Sequence, residues 1–90
     1  MSAEIKLTLI GRQGCHLCEV AQGELARVVG QLNADFPDLE YVIEDLDVDS
    51  DPQLLAKFSE EVPVLLLNDQ QIAFFRIEPD RVLAKIRELL

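Results

Sequence analysis

The sequence predicts a small α/β domain: a four-stranded mixed sheet with helices packed on both faces. Three observations lead there. Apolar residues switch along the chain between the twofold spacing of strands and the 3.6-residue spacing of helices. The last two strand-like runs are separated only by the turn signal Asn68-Asp69-Gln70, so they form a hairpin. Ninety residues are enough for one domain, expected to span 1–90, and no internal repeat or boundary divides them.

The elements follow in order. Ile5 to Ile10 reads as a strand, its apolar end dense enough for burial on both faces, and Gly11 and Gly14 stop it. Arg12-Gln13-Gly14-Cys15 is a loop. From His16 to about Leu32 the period becomes helical, with Leu17, Val20, Ala21, Leu25, Val28, Val29 and Leu32 on one stripe. Gly23 and Gly30 weaken that helix by about 1 kcal/mol each relative to alanine. The helix ends between Asn33 and Pro37, since proline cannot continue it. Leu39 to Val48 is a second strand centred on Tyr41, Val42 and Ile43. Asp51 caps a short helix with Pro52 in its first turn and Leu54, Leu55 and Phe58 on its apolar face. Val62 to Leu67 is a third strand, with Pro63 near its start. Gln71 to Ile77 is the fourth. Glu78-Pro79 opens a last helix carrying Val82, Leu83, Ile86, Leu89 and Leu90 on one face. The order is β-α-β-α-β-β-α, with a right-handed parallel crossover first.

Hydrophobic residues make up 49% of the chain, which allows a core without covalent stapling. The net charge of −9 argues against nucleic acid and against anionic membrane surfaces, both of which attract lysine and arginine. It serves solubility, or selects basic partner proteins. No apolar run approaches the ~20 residues of a membrane span. The opening Met1-Ser2-Ala3-Glu4-Ile5-Lys6 lacks the basic and long apolar stretches of a signal peptide. The expected compartment is the cytoplasm, where thiols are reduced.

The two cysteines, Cys15 and Cys18, carry the chemistry. A bridge between them closes too small a loop to staple anything. Their place, where the first strand meets the first helix, puts Cys15 among free N–H groups at the positive end of the helix dipole. A thiolate there is stabilised, and the thiolate attacks disulfides. Cys15 is then the exposed nucleophile and Cys18, one turn on, the resolving thiol. Two other readings stand beside this one. The cysteines are small buried hydrophobes, or they are half of a zinc site, which needs four ligands and so a second chain. His16 either tunes Cys15 or faces solvent beside it. Arg12 either attracts a thiolate or an anionic substrate such as glutathione, or is simply solvated.

With Thr8-Leu9-Ile10-Gly11-Arg12-Gln13-Gly14-Cys15-His16-Leu17-Cys18, the Val62-Pro63-Val64-Leu65 step and this element order, the sequence resembles the small bacterial glutaredoxin-like proteins of the thioredoxin-fold superfamily. The resemblance implies a thioredoxin-like fold and a thiol–disulfide oxidoreductase. It acts on protein or glutathione mixed disulfides, as a monomer, with no tightly bound cofactor and with glutathione as a possible reductant. It implies that Val62-Pro63 is cis, that Pro63 packs on the redox pair, and that the Val62 backbone pairs with an extended substrate. Cys15, Cys18 and Pro63 are then catalytic, and Arg12, His16, Leu17 and Val62 bind substrate. No metal is implied at the site. Common glutaredoxins carry Cys-Pro-Tyr-Cys and a Gly-Gly step before an acidic residue. Here His16-Leu17 and Phe75-Arg76-Ile77-Glu78-Pro79-Asp80 replace them, leaving Asp80 to reach an amino group. Phe74 and Phe75 are expected to pack in the core and at the sheet edge. A metal or iron–sulfur module shared across a dimer, and a redox-inactive interaction domain, are the alternative functions.

Overall fold

In a computed structural model, residues 4–90 are described; residues 1–3 of the expected domain, and the start of the segment read for a signal peptide, lie outside them. Strand β1 (Ile5–Gly11) is the centre of the molecule. It pairs parallel with β2 (Tyr41–Asp47) on one side and antiparallel with β3 (Val64–Leu67) on the other. Strand β4 (Gln70–Phe74) completes the sheet, in the order β2-β1-β3-β4. The fold is the expected thioredoxin-like α/β arrangement.

Burial along β1 follows from the alternation of a strand between two layers. Ile5, Leu7 and Leu9 face helix α1 (His16–Asp35) and helix α3 (Pro79–Leu89), with Leu25, Val28, Leu32, Val82 and Ile86 packed against them. Ile10 points the other way, into a smaller cluster with Val48, Val64 and Phe58 of helix α2 (Pro52–Phe58). Leu7, Ile10, Val28, Leu32, Val64 and Ile86 are all fully buried. Asp51 caps α2 as expected, its carboxylate accepting from the Gln53 amide at 2.8 Å, with Pro52 in the first turn.

The β3–β4 hairpin turns on Asn68 and Asp69, both with positive φ (50° and 69°), the conformation that suits a two-residue hairpin loop. Asn68 also reaches β1. Its side-chain oxygen accepts from the Lys6 amide at 2.8 Å, its side-chain amide donates to the Glu4 carbonyl at 2.9 Å, and its backbone N–H donates to the Lys6 carbonyl.

Several boundaries differ from the sequence reading. Strand β4 ends at Phe74 rather than Ile77, because Phe75 turns to φ 64°, where a strand cannot continue. Strand β3 begins after Pro63, which has no N–H to give a ladder. Val42 and Ile43 are exposed, since β2 is a sheet edge. Leu17 and Val20 lie on the apolar stripe of α1, yet the buried residues of that helix are Cys18, Ala21, Leu25, Val28 and Leu32. The stripe is thus wider than the surface covering it. Leu89 and Leu90 are likewise exposed. Phe74 and Phe75 are not in the core: both are exposed, Phe74 at the end of the edge strand β4, with the two rings edge-to-face at 4.9 Å.

The C-terminal ends of α1 and α3 are tied by Arg87, which donates to the Asp35 carboxylate at 3.0 Å. Gln31 donates to the same carboxylate, and it and Arg87 hold that carboxyl below its ordinary 3.8. A depressed carboxyl favours the folded state above its unfolded value, and the benefit is lost as pH falls through the folded one. Urea unfolding as a function of pH should therefore show a shallower acid-side loss below pH 3.8 in Asp35→Asn than in the wild type. Leu7→Ala, at a fully buried site, should cost about 2–5 kcal/mol in the same assay, while Val42→Ala on the exposed edge should change stability by less than about 0.5 kcal/mol.

Candidate active site at the first strand-to-helix junction

Strand β1 ends at Gly11, and the chain needs four residues to swing into α1. Gly14, at φ 72°, makes that swing; a left-handed backbone there favours glycine. Cys15 follows in extended conformation as the N-cap of α1. Its sulfur takes the place of a capping oxygen and accepts from the Cys18 amide at 3.2 Å. Cys15 and Cys18 are joined as a disulfide, with Cα atoms 5.2 Å apart. Cys15 is half-buried, while Cys18 is buried, at 5% exposure. Gly11 lies against Cys18: a Cβ on Gly11 would sit 3.4 Å from both Cβ and Sγ of that cysteine.

The remaining sequence-derived residues divide into three groups. Pro63, fully buried, follows a cis Val62–Pro63 bond, as the resemblance implied. The β1–β3 register pairs Ile10 with Val64, so one further step sets Pro63 opposite Gly11, the residue that abuts Cys18. Val62 is half-buried and packs on the Ile10–Phe58 cluster. His16 and Leu17, between the cysteines, are exposed in the first turn of α1. Arg12 is engaged within the protein: its guanidinium donates twice to the Asp49 carboxylate, at 3.0 and 3.3 Å, and to the Ser59 carbonyl at 3.4 Å. That pairing ties the loop before Cys15 to the segment flanking α2.

The disulfide lies between two depressions. One, of about 440 Å³, runs toward β2 and includes Cys15, Cys18, Glu19, Asp45 and Asp47 in its lining. The other, of about 610 Å³, runs toward the β4–α3 connection, with His16, Leu17, Val20 and Phe75 in its lining. Phe75 belongs to this site although its residue type gave no local signal for it. Its N–H donates to the Pro63 carbonyl at 2.8 Å, and the next N–H, of Arg76, donates back to the Phe74 carbonyl at 2.7 Å. Phe75 is thus the centre of a three-residue γ-turn with positive φ, a strained conformation for a bulky side chain. Among the described residues, no three His, Cys, Asp or Glu side chains converge as a metal-binding group, and no helix is long and apolar enough to cross a membrane.

A four-stranded mixed sheet with a Cys-x-x-Cys disulfide at the head of its first helix and a cis-proline at the head of β3 defines a thioredoxin-fold domain. Comparison with solved structures agrees. Chloroplastic thioredoxin z superposes with a TM-score of 0.71 over 97% of this chain and 79% of its own, at 12% identity. A Staphylococcus aureus protein of unknown function superposes at 0.72 over 96% and 91%, at 15% identity. A structural-genomics target protein of X. campestris does so at 0.65 over 91% and 96%, at 24% identity. In sequence, residues 6–87 match the family described as Glutaredoxin-like domain (DUF836), and the chain belongs to that family. It is also 30% identical over 88 residues to the Glutaredoxin-like protein YDR286C homolog of Dictyostelium discoideum, covering 96% of this chain and 79% of that one.

The two positive-φ positions at the site, Gly14 and Phe75, respond differently to substitution. A Cβ at Gly14 would meet nothing within 4 Å, so Gly14→Ala adds only backbone strain and should cost about 1 kcal/mol in urea unfolding. Phe75→Gly relieves strain of the same kind and loses contacts of an exposed ring, so its stability should stay within about 1 kcal/mol of the wild type.

Proposed function

We propose that this protein is a thiol–disulfide oxidoreductase that reduces protein or glutathione mixed disulfides, with Cys15 as nucleophile and Cys18 as resolving thiol. One observation carries the reading: the more accessible sulfur of the pair is the N-cap of α1, taking a backbone N–H at 3.2 Å, while its partner is buried one turn on. A sulfur so placed is favoured as an anion by the N–H groups and dipole of the helix, and its pKa falls below the free value of about 8.5.

In the reduced protein the Cys15 thiolate attacks one sulfur of the substrate disulfide. A Cys15–substrate bond forms, and the first half leaves as a thiolate that takes up a proton. Cys18 then loses its proton and attacks the Cys15 sulfur. The mixed disulfide breaks, the second half leaves as a thiol, and Cys15–Cys18 closes. Two electrons have passed from the dithiol to the substrate. Two glutathione molecules, which leave joined as oxidised glutathione, or one molecule of a dithiol donor, reopen the pair. The Val62 backbone pairs with the extended substrate, Pro63 packs behind the redox pair, and the compartment is the cytoplasm.

Turnover of a mixed disulfide with a thiol reductant tests this. Cys15→Ser should abolish it, and Cys18→Ser should accumulate a substrate adduct at Cys15, seen as added mass that a reductant removes. Full turnover by Cys15→Ser would overturn the proposal.

A further inference from the structure

The groove between α1 and the β4–α3 connection has His16 and Leu17, the residues between the two cysteines, in its lining, so it adjoins the Cys15–Cys18 pair. Its walls include three exposed apolar side chains: Leu17 at 40%, Val20 at 46% and Phe75 at 44% of their full exposure. Two of these come from the unburied flank of the α1 stripe. The third is held there by the γ-turn, through N–H bonds of Phe75 to Pro63 and of Arg76 to Phe74. A chain that keeps a phenylalanine in a left-handed conformation, where glycine would rest without strain, needs the side chain rather than the turn. Single exposed apolar residues are ordinary; three that line one groove next to the Cys15–Cys18 pair form an apolar patch of the kind that marks a binding surface.

The polar surroundings state the occupant's charge. Glu24, Glu78 and Asp80 also line this groove, against one guanidinium there, Arg76, among the described residues. Glu78 is paired with Arg81 at 2.9 Å. On the other side of the disulfide stand Glu19, Asp45 and Asp47, with Arg12 already bound to Asp49. A second copy of this chain carries the same net charge of −9 and is repelled. A small anionic disulfide such as oxidised glutathione meets the same repulsion and has no apolar side chain for the groove.

Building on the oxidoreductase reading above, we infer that Phe75, with Leu17 and Val20, selects as substrate an extended polypeptide whose half-cystine is flanked by an apolar residue and a lysine or arginine. The apolar neighbour of the substrate cysteine lies against the Phe75 ring, and the cation lies toward Glu24 and Asp80. The exchange itself is the two-electron transfer already written, and the groove changes only which disulfide reaches Cys15.

The test uses full-length, pre-reduced protein in single turnover, with products quenched and weighed. The substrates are oxidised glutathione and three short peptides whose one cysteine is capped by mercaptoethanol, flanked by leucine and lysine, by leucine and glutamate, or by glycine on both sides. The leucine–lysine peptide should react about tenfold faster than the all-glycine peptide, the discrimination one apolar contact supplies. It should also outpace the leucine–glutamate peptide and oxidised glutathione. In Phe75→Gly the leucine-over-glycine ratio should fall to about twofold or less, and Phe75→Leu should restore most of it. The double variant Glu24→Gln, Asp80→Asn should erase the lysine-over-glutamate ratio and leave the leucine preference. Equal rates for the four substrates in the wild type, or a ratio that Phe75→Gly leaves untouched, would overturn the inference while the oxidoreductase reading stands. So would a wild-type dimer in light scattering that Phe75→Gly dissolves, since a second copy would then cover the groove. A wild type that reduces none of the four removes that reading, and this inference with it.

Discussion

The contact on which the site depends is the one between the Cys18 amide and the Cys15 sulfur. The first turn of any helix leaves amides without partners, and an oxygen-bearing side chain ordinarily takes one. Here a sulfur does. Under the proposed function, capping the helix and preparing a nucleophile become the same act, and each supporting feature serves it. Gly14 supplies the positive φ that aims Cys15 at the helix mouth, and Gly11 lets the backbone of β1 lie against Cys18. Arg12 anchors the intervening loop to Asp49 and Ser59. The central strand, buried on both faces, is the rigid base from which the loop departs.

This logic explains what was legible in the sequence. The element order, the burial of the first strand on both faces, the Asp51-Pro52 helix start and the Cys15–Cys18 pair each have a local cause. Apolar period, capping chemistry or spacing announces each one. The hairpin was legible too, because asparagine and aspartate tolerate positive φ where most residues do not.

The features that escaped the sequence have long-range causes. Helical period places Leu17 and Val20 on an apolar stripe, but it cannot say how much of that stripe the sheet and α3 will cover. The engagement of Arg12 depends on a carboxylate 37 residues away. Phe75 is the clearest case. No local preference puts phenylalanine at φ 64°; the bond to the Pro63 carbonyl, across the start of the hairpin, holds it there. The same residue ends β4 early, and its ring, expected to pack in the core or at the sheet edge, faces solvent in the groove that His16 and Leu17 also line.

Asn68 has a consequence for how the chain can be cut and rejoined. Hairpin tips are usually the sites where a protein best tolerates new termini or an inserted domain. This tip is stitched to the opening residues of the central strand by three hydrogen bonds, through Glu4 and Lys6. Opening it would release the start of β1 as well as the hairpin. The exposed Pro37-Asp38 connection, which leads from α1 toward the edge strand, is the better place for circular permutation or for grafting a reporter.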